Sequence, residues 1–245
     1  MRRGFRCKET VLVALKKGYE EIVNKEFEED YLKALNNFDR ISETRLRDIL
    51  KNFYPSQRSR DQAWKTCKGS LYEYAVFKYI QQVIVSDERL KRNFSVLMGE
   101  TALHQHKNQI VIKNWTEIFP DVDILILQKT GSLSGIVKVI ISCKTSLRER
   151  LTETAFWKRE LEKVHGGRDI KLVFVTTDKD NELQIDTNRY ILLHVMDCTF
   201  VTNSQKYEEL MQAYKRKYGN RPDFNELTRK VRFIGEFKQF LSEII

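Results

Sequence analysis

Apolar side chains recur every three or four residues through the first third of the chain, which is the spacing of amphipathic helices. The pattern predicts one helical stretch from Glu9 to Phe38, a second from Ser42 to Phe53 and a third from about Ser70 to Val85. Pro55 ends the second stretch, because proline disrupts a helix interior. Residues 1–60 are therefore predicted to form a helical N-terminal region.

The pattern changes after Ile110, where short β-branched runs replace the helical spacing. The runs Asp121 to Leu127 and Ile136 to Cys143 are joined by residues 129–135, whose glycines and serines indicate a hairpin. Further strands are predicted at Leu172 to Thr176 and Tyr190 to Val195.

Helical spacing returns between and after these strands, at Ser146 to Val164, Tyr207 to Tyr214 and Phe224 to Ile244. The order from Asp121 onward is thus strand, strand, helix, strand. This order predicts an α/β domain covering residues 61–245, preceded by the helical N-terminal region.

The balance of charge indicates what the chain binds. Its 43 lysines and arginines exceed its 34 aspartates and glutamates, which gives a formal net charge of +9. An excess of positive charge favours polyanionic partners, so nucleic acid is the first candidate and an acidic substrate is the minor alternative.

The four cysteines, Cys7, Cys67, Cys143 and Cys198, stand far apart and form no Cys-x-x-Cys pair. We therefore predict neither a structural zinc site nor a disulfide framework. No apolar run approaches the roughly 20 residues of a membrane span, and the first residues lack the apolar segment of a secretory signal. These features predict an intracellular, reduced protein with no membrane association.

Two acids enter the first predicted strand of the hairpin, and a lysine ends the second. Asp121 and Asp123 lie in Pro-Asp-Val-Asp, and Lys144 closes Ile-Ser-Cys-Lys. An acid at the start of one hairpin strand and a lysine at the end of its partner can meet at the same end of the sheet. Carboxylates supply the hard oxygens that Mg²⁺ prefers, and a lysine can orient water and neutralise developing charge. Asp121 competes with Asp123, but alternation along a strand favours Asp123 as the inward acid.

This arrangement resembles the PD-(D/E)xK nucleases, with Ser142 in place of the acid that precedes Lys144. The triplet Arg148-Glu149-Arg150, a few residues later, adds a second similarity. In both respects the chain resembles the type II restriction endonucleases of the EcoRII, PspGI and NgoMIV group, whose corresponding triplet reads CC/GG base pairs. The resemblance covers roughly Glu73 to Leu161, and it implies an α/β core with a central mixed sheet flanked by helices.

The resemblance also implies a catalytic set. Asp123 would be the central Mg²⁺ ligand, Lys144 the catalytic lysine, and Ser142 the residue in the place of the second acid. Glu73, on the helix before the sheet, would be a supporting metal ligand. The alternative for Glu73 is a local hydrogen bond within an aromatic helix.

The pattern departs from the family at one further acid. Related enzymes place it on the helix after the lysine, at a spacing where this chain has Trp157 or Lys158. Glu153 and Glu160 lie on either side of that position. The spacing favours Glu160 as the additional metal ligand, and Glu153 remains the alternative.

DNA recognition follows from the same resemblance. Arg148 and Arg150 would donate to guanine O6 and N7, and Glu149 would accept from cytosine N4. Palindromic targets imply a homodimer on double-stranded DNA, because two-fold protein symmetry matches two-fold DNA symmetry. The alternative is that the triplet forms only a solvated, charged helix face.

The resulting hypothesis is a Mg²⁺-dependent type II restriction endonuclease of the prokaryotic cytoplasm, which leaves 5′-phosphate ends. One alternative is a repair or junction-resolving nuclease of the same fold, which would recognise DNA shape. Another is a non-catalytic DNA-binding regulator, although a regulator has no reason to gather acids beside a phosphate. The sequence contains no motif for nucleotide hydrolysis, acyl transfer or zinc proteolysis.

Overall fold

The computed structural model of the chain describes residues 7–113, 115–131, 135–147, 150–164 and 170–245. Contacts divide the chain into two compact units, Met1–Tyr79 and Ile80–Ile245. The sequence predicted a boundary at residue 60, but one continuous helix runs through that point, from Gln57 to Val85. The assignment of catalysis to residues 61–245 stays a prediction.

The first unit is built from helices, as the spacing of its apolar residues predicts. Along one face of its first helix, Val11, Leu15 and Tyr19 are fully buried. This helix ends before Glu28 and Glu29, whose positive φ angles of 53° and 64° are incompatible with a continued α-helix. The elements are α1 (Glu9–Glu26), α2 (Tyr31–Asn36), α3 (Phe38–Ile41), a π-helical turn (Ser42–Leu46), a 3₁₀ helix (Arg47–Asn52) and most of α4 (Gln57–Val85).

A disulfide joins Cys7 to Cys67 within this unit, with their Cα atoms 4.7 Å apart. The prediction that the chain lacks disulfides was therefore wrong. The two cysteines are separated by 60 positions along the sequence, so spacing gave no sign of their pairing, and the helical packing brings them together. Cys143 and Cys198 are buried free thiols.

The second unit contains a mixed sheet, which confirms the predicted α/β class. Within the described residues six strands lie side by side in the order β1-β4-β5-β6-β7-β8. The pairs β1–β4 and β4–β5 are antiparallel, whereas β5, β6, β7 and β8 are parallel to one another. These strands are β1 (Phe94–Met98), β4 (Ile124–Lys129), β5 (Gly135–Lys144), β6 (Lys171–Thr176), β7 (Cys198–Val201) and β8 (Val231–Phe233), and β2 (Ile112–Lys113) pairs with β3 (Glu117–Ile118) separately.

Helices cover this sheet and supply the other half of its core. Leu125, Ile140 and Phe174 of the sheet belong to the same buried cluster as Leu151 and Leu192, which lie on two of the helices. The helices are α5 (Glu88–Asn93), α6 (Gly99–Ile110), α7 (Arg150–Lys163), α8 (Asp186–His194), α9 (Ser204–Tyr218), α10 (Phe224–Lys230) and α11 (Phe237–Glu243). No helix in the described ranges is long and apolar enough to span a membrane.

One predicted element was wrong in type, and another is interrupted. Residues Tyr190 to Val195, predicted as a strand, lie almost entirely in α8, and the strand β7 follows at Cys198. A short apolar run does not distinguish a buried strand from the buried face of a helix. The predicted helix Phe224 to Ile244 is interrupted by β8, whose three residues are too few to show an alternating pattern.

The connection between β5 and β6 determines which elements surround the candidate site. Because these strands are parallel, the chain must return from the end of β5 to the start of β6, and α7 makes this crossover. Helix α7 therefore begins at the edge of the sheet where β5 ends, and it runs toward the opposite edge.

Candidate active site

Asp123 and Lys144 meet at one edge of the sheet. Asp123 immediately precedes β4, and its amide donates to the carbonyl of Ile141 on β5 at 3.2 Å. This register places the Asp123 carboxylate beside the last residues of β5. Its Oδ2 accepts hydrogen bonds from Lys144 Nζ at 2.8 Å and from the Cys143 amide at 2.7 Å. The antiparallel pair thus brings together the acid and the lysine that the sequence singled out.

Asp121 belongs to the same group. Its Oδ2 lies 3.1 Å from Lys144 Nζ, so one ammonium contacts two carboxylates. The Asp121 side chain is 40% exposed and that of Asp123 only 9%. The sequence treated the two acids as competitors, whereas the structure places both at the lysine, one facing solvent and one facing the sheet.

Burial raises the pKa of Asp123 above its ordinary range, because a charged carboxylate loses its hydration there. Lys144 opposes this rise by its positive charge, and the negative charge of Asp121 adds to it. The site therefore concentrates negative charge at a partly desolvated point, where a further cation would be stabilised.

The donor set fits a sparsely ligated Mg²⁺ ion. Mg²⁺ binds hard oxygens and is commonly held by one or two carboxylates plus substrate phosphates, with water completing its shell. Asp121 and Asp123 supply two such carboxylates. Across the described ranges no group of three or more His, Cys, Asp or Glu side chains could hold a metal ion, so a complete protein cage is not formed there.

Ser142 lies two residues before Lys144 on β5, and alternation along a strand places their side chains on the same face. The residue is 1% exposed, and its hydroxyl is buried with no hydrogen-bond partner in the described part of the chain. A buried hydroxyl without a partner is available to a water molecule or to another ligand.

The structure does not bring Glu160 or Glu153 into a metal-binding group with Asp121 and Asp123. Glu160 pairs with Lys163 on its own helix, and Glu153 is exposed in the first turn. Because α7 runs away from the edge that carries Lys144, position 160 lies about 15 Å along the axis from position 150 at 1.5 Å per residue.

Lys158 takes a different partner on the buried face of α7. Its side chain is 6% exposed, and its Nζ lies 2.7 Å from Oδ2 of Asp197. The same oxygen accepts the amide of Leu172, the second residue of β6, at 2.8 Å. A structural ion pair thus occupies the place on the helix where the family pattern has an acid.

The roles of the other predicted site residues, Glu73 and the Arg148-Glu149-Arg150 triplet, stay predictions. Glu73 lies on α4 within the first unit. Arg148 and Glu149 fall outside the described residues, and Arg150 begins α7 with its side chain outside the described part.

A model of the BsaWI type 2 restriction endonuclease family matches residues 102–227, slightly more than half of the chain. The chain belongs to this family. The matched segment contains Asp121, Asp123 and Lys144. As a type II restriction endonuclease the protein cleaves DNA at specific sequences, so the predicted enzyme class is confirmed.

Relatives of this restriction endonuclease agree with the assignment. MjaVIP of Methanocaldococcus jannaschii, assigned as a type II restriction enzyme, is 24% identical over 169 residues, covering 62% of this chain and 74% of that protein. HpyAORF263P of Helicobacter pylori, assigned likewise, is 36% identical over 66 residues, covering 27% of this chain and 33% of that protein.

A solved structure supports the fold. The restriction endonuclease PspGI, in complex with its substrate DNA, matches with a TM-score of 0.59 over 94% of this chain and 92% of its own, at 15% identity. At that identity the likeness concerns the fold alone. It confirms the restriction-endonuclease fold that the sequence resemblance implied.

Sequence reasoning missed two acids of the restriction endonuclease at the same edge of the sheet. Thr176, the last residue of β6, pairs with Lys144, so the turn that follows β6 lies beside the end of β5. Asp178 in this turn is buried, and burial raises its pKa to about 7. Glu182 accepts a hydrogen bond from the Leu147 amide. The predicted order strand-helix-strand could have indicated these two acids, because it implies parallel strands, and parallel strands end at the same edge of the sheet.

Proposed function

We propose that this type II restriction endonuclease hydrolyses phosphodiesters of double-stranded DNA with Mg²⁺, leaving 5′-phosphate ends, at a site made by Asp121, Asp123 and Lys144. The observation that supports this proposal is the contact of one lysine ammonium with two carboxylates, one of them buried, at the edge of the sheet. Asp123 already forms an ion pair with the lysine, and Asp121, 3.1 Å from the same ammonium, adds a second carboxylate to the group.

Each residue has a task that its position allows. Asp121 and Asp123 would hold Mg²⁺, which when bound supplies positive charge against the scissile phosphate. The Lys144 ammonium contacts both acids, which places its positive charge beside the proposed metal-binding oxygens. Its fixed positive charge stabilises the negative charge that develops during hydrolysis. Ser142, neutral and buried, offers its hydroxyl on the same face of β5.

Sequence recognition is proposed for Arg148, Glu149 and Arg150, with a target containing CC/GG base pairs. The triplet begins four residues after the catalytic lysine in the sequence. PspGI, whose fold matches, was solved with substrate DNA. We further propose that the enzyme acts as a homodimer, with one active site for each DNA strand.

The division of labour and the compartment are also proposals. Residues 61–245 would carry catalysis, with residues 1–60 as a helical accessory region. The enzyme would act in the prokaryotic cytoplasm, where its DNA substrate lies. The disulfide between Cys7 and Cys67 would then lie in a compartment that keeps most thiols reduced.

Cleavage of a long DNA separates this proposal from its alternatives. With Mg²⁺ we expect a reproducible set of discrete fragments carrying 5′-phosphates, and with EDTA in place of Mg²⁺ we expect none. Nicks only at branched or damaged positions would favour a repair or junction-resolving enzyme of the same fold. Binding without cleavage under all divalent-metal conditions would contradict the catalytic assignment.

Glutamine variants test Glu73 and Glu160, which the sequence resemblance implies as metal ligands beside Asp123. We expect Glu160→Gln to cleave at nearly the wild-type rate and with the same Mg²⁺ requirement, because Glu160 pairs with Lys163 toward the far end of α7. Sequence spacing alone favoured the opposite result. The measurement is the cleavage rate against Mg²⁺ concentration at saturating DNA.

Three companion variants complete this test. Glu73→Gln and Glu153→Gln are measured in the same way, since a raised Mg²⁺ requirement in one of them identifies the further ligand. Glu208→Gln, an exposed position on α9, controls for the loss of a negative charge. If Glu160→Gln needs far more Mg²⁺ than Glu208→Gln, the geometric argument against Glu160 is wrong.

A further inference from the structure

The turn after β6 sends a carboxylate across to the chain that leaves β5. Glu182 Oε2 accepts a hydrogen bond from the amide of Leu147 at 2.7 Å, and the Ser146 hydroxyl lies 3.4 Å from the same oxygen. Leu147 is fully buried and directly precedes Arg148 in the sequence. A side chain from the β6 turn thus holds the backbone from which the proposed base-reading triplet starts.

Residues 145–147, which follow β5 and are called the connector below, are held by two more contacts from the β6 side. Lys144 pairs with Thr176 in the parallel register of β5 and β6, and one residue further the Thr177 hydroxyl donates to the Thr145 carbonyl at 3.3 Å. Contacts therefore run along the connector from the catalytic lysine to Leu147. The connector is therefore held up to the residue that directly precedes Arg148 in the sequence.

The turn that carries Glu182 is itself firmly held. Leu183 is fully buried, its amide donates to Asp178 Oδ1 at 3.1 Å, and its carbonyl accepts from the Tyr214 hydroxyl at 2.7 Å. The carbonyl of Glu182 accepts from Asn188 Nδ2 at 2.8 Å. These hydrogen bonds fix the backbone at Glu182 and so restrict where its carboxylate can lie relative to Leu147.

The hydrogen bond from Leu147 to Glu182 lies shortly before α7 in the sequence. Leu147 stands three residues before Arg150, the first residue of α7, and α7 runs for 14 residues. A negative charge near the start of a helix interacts favourably with its exposed amides.

We propose that Glu182 is a positioning residue for sequence recognition, which fixes the start of the base-reading triplet relative to Lys144 through the Leu147 amide. Glu182 would thereby couple base recognition to the placement of the catalytic lysine, because the connector joins Lys144 to the triplet. Displacements of about 1 Å can greatly reduce the rates of enzymes. This inference rests on the proposed base-reading role of Arg148, Glu149 and Arg150.

The test compares Glu182→Ala, Glu182→Gln and Asp180→Ala. The measured quantity is the ratio of affinities, in Ca²⁺, for a duplex carrying the site mapped from cleavage products and a duplex without it. We expect Glu182→Ala to lower this ratio about tenfold, the effect of losing one charge-assisted hydrogen bond. Glu182→Gln should keep most of the ratio, because its amide oxygen still accepts from Leu147.

Asp180→Ala removes an equal charge from an exposed position in the same turn, so it controls for the general gain in DNA affinity. We expect its ratio to equal that of the wild type. If Glu182→Ala lowers the thermal midpoint but keeps the ratio found for Asp180→Ala, its role is structural and the proposal is overturned.

The double variant Glu182→Ala/Arg150→Ala separates this proposal from the one it rests on. If Glu182 acts through the triplet, the loss in the double variant is smaller than the sum of the two single losses, since both changes act on the same base-reading group. Additive losses overturn the positioning role. An unchanged ratio in Arg150→Ala itself instead overturns the base-reading role, so the two failures give different results.

Discussion

Lys144→Met is expected to cleave its target at least about 10³-fold more slowly than the wild type while retaining specific DNA binding in Ca²⁺. The substitution removes the ammonium that contacts Asp121 and Asp123, and with it the charge that stabilises hydrolysis. Methionine preserves most of the side-chain volume, so the end of β5 stays packed. Single-turnover cleavage at saturating Mg²⁺ measures the chemical step, and a binding assay in Ca²⁺ measures recognition.

Lys138→Met is the matched control, because Lys138 lies on the same strand six residues before Lys144, toward the other end of β5. It should cleave at nearly the wild-type rate. Asp123→Ala should reproduce the loss seen in Lys144→Met, since it removes the buried carboxylate of the same cluster. A Lys144→Met enzyme that cleaves within a few-fold of Lys138→Met would show that the cluster serves stability alone.

Arg150→Ala is expected to weaken binding to the specific site by roughly 1 to 3 kcal/mol while leaving non-specific binding almost unchanged. An arginine that donates two hydrogen bonds to guanine O6 and N7 discriminates between base pairs, whereas a phosphate contact does not. The decisive measurement is the affinity for specific and non-specific duplexes at one fixed salt concentration, because phosphate contacts depend strongly on salt.

Arg159→Ala provides the comparison, because Arg159 is exposed on the same helix and farther from its start. Its removal should change both affinities little and in the same direction. If Arg150→Ala instead weakens specific and non-specific binding equally, Arg150 contacts the DNA backbone, and base recognition belongs to other residues.

The strands that build the site were predictable because their sequence patterns are local. The β4–β5 hairpin combines β-branched runs with a turn rich in glycine and serine, and its register alone brings Asp123 to Lys144. Strand β1 was not predicted, although it pairs with β4 along all five of its residues. Its sequence, Phe-Ser-Val-Leu-Met, has no alternation of polar and apolar residues that would separate it from the adjacent helices.

The candidate site was only partly predictable for a related reason. Acids near the lysine along the hairpin were visible in the sequence, whereas Glu182 reaches the connector through the parallel pairing of β5 and β6, which is a long-range feature. The preference for Glu160 came from spacing along the chain. The direction of α7 away from the catalytic edge, which is the geometric argument against Glu160, depends on the sheet topology.

The buried pair of Lys158 and Asp197 makes it difficult for this helix to carry an acid at position 158, where related enzymes have one. A glutamate at position 158 would place a second carboxylate against Asp197, where both are largely shielded from water and would repel strongly. Asp197 is also tied to the amide of Leu172, so it has little freedom to turn away. A change from lysine to glutamate at position 158 is therefore expected to destabilise this fold unless position 197 changes with it.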